Sequence, residues 1–234
     1  MKLIRPQFLL LIFCAAFLNG CDSDKSTGPG GTLSYPSTGS GPKRGATYTY
    51  FTELRSSDGQ FQGADSTVVE CVFDRIDFAG KTNVRRMVGD FQETSGYYWY
   101  DGFGGIWFYD AQFSLNSEKA SNWMQLPLNG KPGVTLKLVD STNQGQDFKI
   151  TVTSEPRGSE TVIVGGRAFN GQKIRFFYEY EITQNLEKQK GTFERTQTWV
   201  PEIGFYAKDV QPRFEDGPQN PGTMTSTLGS YHLP

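Results

Sequence analysis

The stretch Gln172 to Thr183, QKIRFFYEYEIT, decides the fold. Ile174, Phe176, Tyr178, Tyr180 and Ile182 fall on every second position, and Lys173, Arg175, Glu179 and Glu181 fall between them. Successive side chains of a strand point to opposite faces, so this pattern gives a strand with one dry side and one wet side. Outward from it the period stays at two. VTLKLV and DFKITVTS repeat the pattern with Val134, Leu136, Leu138 and with Phe148, Ile150, Val152. Near the start of the domain, ATYTYFTEL sets Ala46, Tyr48, Tyr50 and Leu54 against Thr47, Thr49 and Glu53. From Gly45 to about Pro212 the 3.6-residue period of a helix is not sustained, and only NSEKASNWM has room for a short helical turn.

Turn chemistry separates the runs in SSDGQ, FAGKTN, PLNGKPG, STNQGQ, EPRGSE and FNGQ. The spacing predicts one antiparallel all-β domain of about ten strands. So many sequential strands must twist and curl, which leaves a strongly curved sheet as a half-barrel or open barrel, or a β-sandwich. No blade-length repeat recurs, which disfavours a propeller.

The chain opens with MKLIRPQFLLLIFCAAFLNG, with cations at Lys2 and Arg5 before an apolar run from Phe8 to Leu18. That run is too short to span a bilayer and reads as a secretory signal. It ends in Leu18-Asn19-Gly20-Cys21, which resembles the lipobox of bacterial lipoproteins. The resemblance implies cleavage before Cys21 and diacylglycerol on its sulfur, an anchor that needs no spanning helix. The expected location is the bacterial cell envelope, the outer membrane rather than the inner, on its periplasmic or its surface side. Asp22 resembles an inner-membrane retention signal of some Gram-negative bacteria, a rule other lineages do not use.

Residues 1–20 are therefore read as the signal, and 21–44 as the acylated cysteine and a flexible tether. Of the 23 residues after Cys21, 16 are Gly, Pro, Ser or Thr, so the tether behaves as a coil with a reach of about 25 Å. The β-domain is expected over 45–213, and 214–234 as an extended or disordered tail.

Composition removes several function classes. The 23 Lys and Arg less Lys2 and Arg5 leave 21 against 25 Asp and Glu, a net charge of −4 that does not fit a nucleic-acid partner. Cys14 leaves with the signal and Cys21 is acylated, so Cys71 has no disulfide partner and is read as a small buried hydrophobe in a strand. The one histidine, His232, lies in the expected tail, so neither a Ser-His-Asp or Cys-His site nor a histidine-based metal site is expected. Glu70, Asp74 and Asp77 are the carboxylates nearest to a glycosidase-like pair, but they sit on or beside an alternating strand and read as a solvated face. Glu179, Glu181, Glu194 and Arg195 read as cross-strand surface charges. No catalytic residue, metal or cofactor is expected.

The C-terminal half carries a second resemblance. GSETVIVGGRAFNGQKIRFFYEYE, Gly158 to Glu181, and GTFERTQTWVPEIGFYAKDV, Gly191 to Val210, resemble a pattern of bacterial envelope proteins. A strand with Glu-x-Val leads through a Gly-x-Phe turn to a long strand, and later a W-x-P-x-x-G corner opens the last strand. The matching residues are Glu160, Val162, Gly166, Phe169, Lys173, Trp199, Pro201, Gly204 and Lys208. Gly165-Gly166 replaces the more usual Pro-Ala-Gly, and Glu202-Ile203 precedes the last glycine. Such proteins are similar to the half-barrels of the LolA and LppX type, which implies a cupped sheet that holds lipid or acyl chains. Without the resemblance, the corner at Pro201 to Gly204 reads as a hairpin turn and nothing more.

The candidate site is GYYWYDGFGGIWFYD, Gly96 to Asp110, in which eight of fifteen residues are aromatic. With Asp101 to Gly105 as the loop, Tyr100 opposes Ile106, Trp99 opposes Trp107, Tyr98 opposes Phe108 and Tyr97 opposes Tyr109. One face is then Tyr98, Tyr100, Ile106 and Phe108, the other Tyr97, Trp99, Trp107 and Tyr109. Both are aromatic, so one packs on the core and the other needs a cover. The tail or the SNWMQLPL segment could close it, or it is a ligand or interface surface made of Tyr97, Trp99, Trp107 and Tyr109. The expected function is non-enzymatic: a binding module for lipid or another amphipathic ligand, or an interaction lipoprotein that meets an envelope protein partner through this face.

Overall fold

The computed structural model describes residues 41–89, 96–101, 105–110, 123–128, 130–143, 146–184, 187–213 and 221–234. Residues 1–40, with the stretches read from the sequence as signal, lipobox and tether, lie outside them. The strands are β1 (Thr47–Arg55), β2 (Phe61–Phe78), β3 (Lys81–Gly89), β4 (Gly96–Tyr100), β5 (Ile106–Asp110), β6 (Trp123–Gln125), β7 (Thr135–Asn143), β8 (Gln146–Val164), β9 (Arg167–Gln184), β10 (Glu187–Val200), β11 (Phe205–Arg213) and β12 (Gly222–His232). All twelve form one sheet in the order β6-β5-β4-β3-β2-β1-β12-β11-β10-β9-β8-β7, and every pairing is antiparallel. The sheet curls into a nearly closed barrel with one unsealed seam between β6 and β7. It is a single sheet and not a sandwich. Among the described residues there is no helix, and most of 116–124, where a helical turn had room, lies outside them.

The topology is two meanders. β1 to β6 run outward in one direction, β7 to β12 return toward the centre, and Leu126 and Val134 stand at the two edges of the seam. Each of these two residues is stitched to a strand. Leu126 donates its N–H to the Ile106 carbonyl at 2.8 Å, and Ser154 donates to the Val134 carbonyl at 2.8 Å. Inward side chains from both meanders, including Tyr48, Cys71, Met87, Tyr98, Leu126, Val152, Ile174, Trp199 and Leu228, form one core. β9 keeps the alternation read from its sequence: Ile174, Phe176 and Tyr178 are at most 2% exposed.

Three expectations are corrected. The tail expected beyond residue 213 contains β12, which pairs with β1 on one side and β11 on the other and brings His232 opposite Thr47. The domain therefore runs to His232. Its inward positions include Gly222 and Ser226, small groups that fit where Thr52, the partner of Ser226, and Asp209 also point inward. Second, EPRGSE and FNGQ are not turns. They face each other in the ladder, with Pro156 opposite Ile174 and Glu160 opposite Gly171, and a bulge between Pro156 and Ser159 bends the hairpin without ending it. Third, twelve strands replace about ten.

Candidate functional site

The W-x-P-x-x-G corner is more than a hairpin turn. Pro201 to Gly204 folds into the mouth of the barrel, and Gly204, at φ +73°, lets the chain reverse there. Trp199, Val200, Ile203 and Phe205 are each at most 1% exposed. Three phenols from distant strands hold the turn. Tyr50 donates to the Tyr206 carbonyl at 2.6 Å, Tyr100 to the Gly204 carbonyl at 2.8 Å, and Tyr48, more weakly, to the Ile203 carbonyl at 3.5 Å. Burial pushes all three phenols well above their ordinary range, so they stay neutral donors. Glu160 on β8 accepts from the Thr198 hydroxyl and lies 3.8 Å from Lys208, which ties β8 to β10 and β11 beside the plug.

Below the plug the interior turns polar. Arg195 grips Asp209 in a fork, Nε to Oδ1 at 2.8 Å and Nη2 to Oδ2 at 2.6 Å. Burial works against the arginine's charge, but Asp209 outweighs it and holds the guanidinium charged well above its usual range. Asp209 is 5% exposed, whereas the Arg195 side chain keeps 21%. Arg195 is not the surface charge expected from its neighbours. It shares the inward phase of Phe193 and Gln197, and that phase was the available signal. Glu194, Glu179 and Glu181 do point outward, where Arg175 meets Glu194 and Lys188 and Lys190 meet Glu181. Beside the fork, the inward wall of β7 to β10 is apolar and only partly covered. Leu136, Ile150 and Phe193 pack on the core without being buried, and Phe193 stacks on Tyr178 at 4.4 Å.

The aromatic hairpin has the register expected, with Tyr97 opposite Tyr109, Tyr98 opposite Phe108, Trp99 opposite Trp107 and Tyr100 opposite Ile106. Tyr98, Tyr100 and Phe108 belong to the core. Tyr97, Trp99, Trp107 and Tyr109 share the other face with Val84, Phe78, Ala79 and Trp123 in a second cluster. Bulges in β2 and β3 let the end of that hairpin lie over β4 and β5. Phe78 stacks on Tyr97 at 3.8 Å, and Trp123 meets Tyr109 edge-on at 5.3 Å and donates to the Ala79 carbonyl at 2.9 Å. Much of the cover is thus the chain's own, including Trp123 from SNWMQLPL, while β12 takes its place elsewhere in the sheet. Tyr109 is fully buried, and Tyr97, Trp99 and Trp107 are half-buried. Lys81 Nζ stands 4.2 Å from the Trp99 ring and 4.9 Å from the Trp107 ring.

Cys71 is wholly buried, and burial pushes its thiol up to about 12, as suits a small core hydrophobe. Glu70, Asp74 and Asp77 are spread along β2. Among the described residues no three His, Cys, Asp or Glu side chains come together as a metal site.

These features define a single-sheet antiparallel barrel, plugged at one end and open along a seam. No known family profile matches the chain, and no curated protein matches it. Among solved structures, a candidate lipoprotein from Parabacteroides distasonis ATCC 8503 superposes with a TM-score of 0.50 at 10% identity, over 83% of this chain and 99% of its own. That likeness concerns the fold. A candidate exported protein of Bacteroides fragilis NCTC 9343, described as having a YmcC-like fold, gives 0.47 at 16% identity over 84% and 100%. The hypothetical lipoprotein YmcC from Escherichia coli (K12) gives 0.32 at 12% over 77% and 83%.

Proposed function

We propose that the protein is a lipid-anchored protein of the bacterial cell envelope that holds an amphipathic ligand inside its barrel and performs no chemistry on it. The observation that carries this reading is the partly exposed apolar wall of Leu136, Ile150 and Phe193 beside the Arg195–Asp209 fork. An apolar body would cover the wall, and a polar end would meet the fork, which is the arrangement ligand sites use for affinity and orientation. The lipobox supports the anchor. Phe78 and Trp123 cover Tyr97 and Tyr109 and leave only Trp99 and Trp107 open at the end of that face, too small an area to be the leading protein interface.

The test is mass spectrometry of organic extracts from the acylated protein purified from its natural host. A recurrent amphipathic species, lost in an Ile150→Asp variant that keeps its thermal transition, is expected. Repeated extracts without one would overturn the ligand reading.

A further inference from the structure

Cation–aromatic contacts gather at one end of the barrel. Arg44 lies over Phe73 at 5.9 Å, Lys81 over Trp99 and Trp107, Arg85 over Tyr100 at 5.6 Å, and Arg167 over Phe169 at 5.1 Å. A further such pair, Arg175 on Phe177, stands lower on the outer wall. The crowded end is where β2, β4 and β8 finish and where β1 begins. It also carries two exposed apolar side chains, Phe73 at 43% and Ile163 at 67%.

The chain coming from Cys21 enters at this same end. Gly41 lies under the Tyr100 ring at φ +63°, so closely that a β-carbon there would stand 2.4 Å from the ring. The Pro42 carbonyl accepts from Arg85 Nε at 3.4 Å. Nineteen residues separate Cys21 from Gly41, and the tether expected there from its composition has a reach of about 25 Å. On the lipid-anchor reading, the entry end is where the tether from the acylated cysteine joins the domain.

Indole rings and long basic side chains are the groups that settle at a membrane–water boundary. The ring takes the boundary between acyl chain and headgroup, and the cation reaches up to phosphate. We propose that this end of the barrel lies against the phospholipid bilayer that carries the anchor, with Trp99, Trp107, Phe73 and Ile163 at headgroup depth and Lys81 and Arg44 toward phosphate. The proposal rests on the lipid-anchor reading and adds an orientation to it. Asp74, Asp77 and Glu202 stand at the same end, so the surface is of mixed sign. Contact accordingly comes mainly from the apolar and aromatic groups and depends only weakly on anionic lipid.

The test returns the full-length acylated protein to phosphatidylcholine vesicles whose lipids carry bromine close to the headgroup. The chain has four tryptophans, and Trp123 and Trp199 are 5% and 1% exposed. Contact through Trp99 and Trp107 should therefore remove up to about half of the emission seen in unbrominated vesicles. Lys81→Glu combined with Ile163→Glu should cut that loss about two-fold or more. Phe61→Glu, at an exposed position near the opposite end, should leave it unchanged; thermal unfolding checks that each variant is folded. If the Cys21 peptide carries acyl chains and the protein sediments with vesicles but is not quenched, docking is overturned and the anchor stands. If Cys21 is unmodified, the anchor reading fails; quenching on adding the same protein to vesicles would then uphold the docking surface, and its absence would overturn it.

Discussion

Replacing Ile203 with alanine separates a plug from an ordinary turn. At an exposed turn such a change moves stability by no more than about 0.5 kcal/mol. Ile203 has no exposed surface and belongs to the core that holds Trp199 and Phe205. Alanine removes three carbons, about 2.4 kcal/mol of transfer free energy at roughly 0.8 kcal/mol each, and the space left behind brings the cost to about 3 kcal/mol. In a domain of this size each kcal/mol shifts Tm by about 2–4 °C, so a fall of about 6–12 °C is expected. Thermal unfolding followed by circular dichroism reads it, with guanidinium titration to confirm that the m-value is unchanged. Glu202→Ala, one residue away and exposed, is the control and should move stability by less than about 0.5 kcal/mol. A fall of under about 2 °C for Ile203→Ala would refute the plug, because a core position cannot lose three carbons so cheaply.

Asp209→Ala leaves the Arg195 guanidinium charged without its partner and should cost about 3–5 kcal/mol, most of it recovered when Arg195→Leu is added. A single-variant cost under about 1 kcal/mol, the size seen for exposed pairs, would show that the fork is solvated. With its thiol pushed up to about 12, Cys71 is protonated at pH 8 in the folded protein. Peptide mapping after iodoacetamide should find it unlabelled in native buffer and fully labelled in guanidinium; native labelling at the rate of a free thiol would contradict the burial.

Sequence was most informative where one side chain type dominated a phase. The alternation of Ile174 to Ile182 predicted β9, and the density of rings from Tyr97 to Tyr109 left few registers for the hairpin; the one built on a loop from Asp101 to Gly105 is the one observed. It was least informative where the inside of the barrel is small or polar. β12 was read as a tail because the stretch from Phe214 is rich in Pro, Gly and Thr, and because Gly222 and Ser226 break the inward phase that Met224 and Leu228 share. Arg195 was read as surface because charge outweighed phase in the reading, although its partner Asp209 lies in phase with Phe205 and Ala207 on the next strand. The bend of β8 and β9 looked like two turns because proline and glycine mark a bulge and a chain reversal alike. The plug was out of reach of local patterns, since Tyr50 and Tyr100 meet backbone 156 and 104 residues away.

The place of β12 bears on when the barrel can form. β1 and β11 have no ladder with each other, and each pairs with β12. A chain made from its N-terminus thus produces eleven strands before the one that joins the two meanders exists. The order of synthesis therefore sets the order of closure. Until residues 222–232 have been made, the two halves can form only partial sheets, and the single twelve-stranded sheet waits for its last strand.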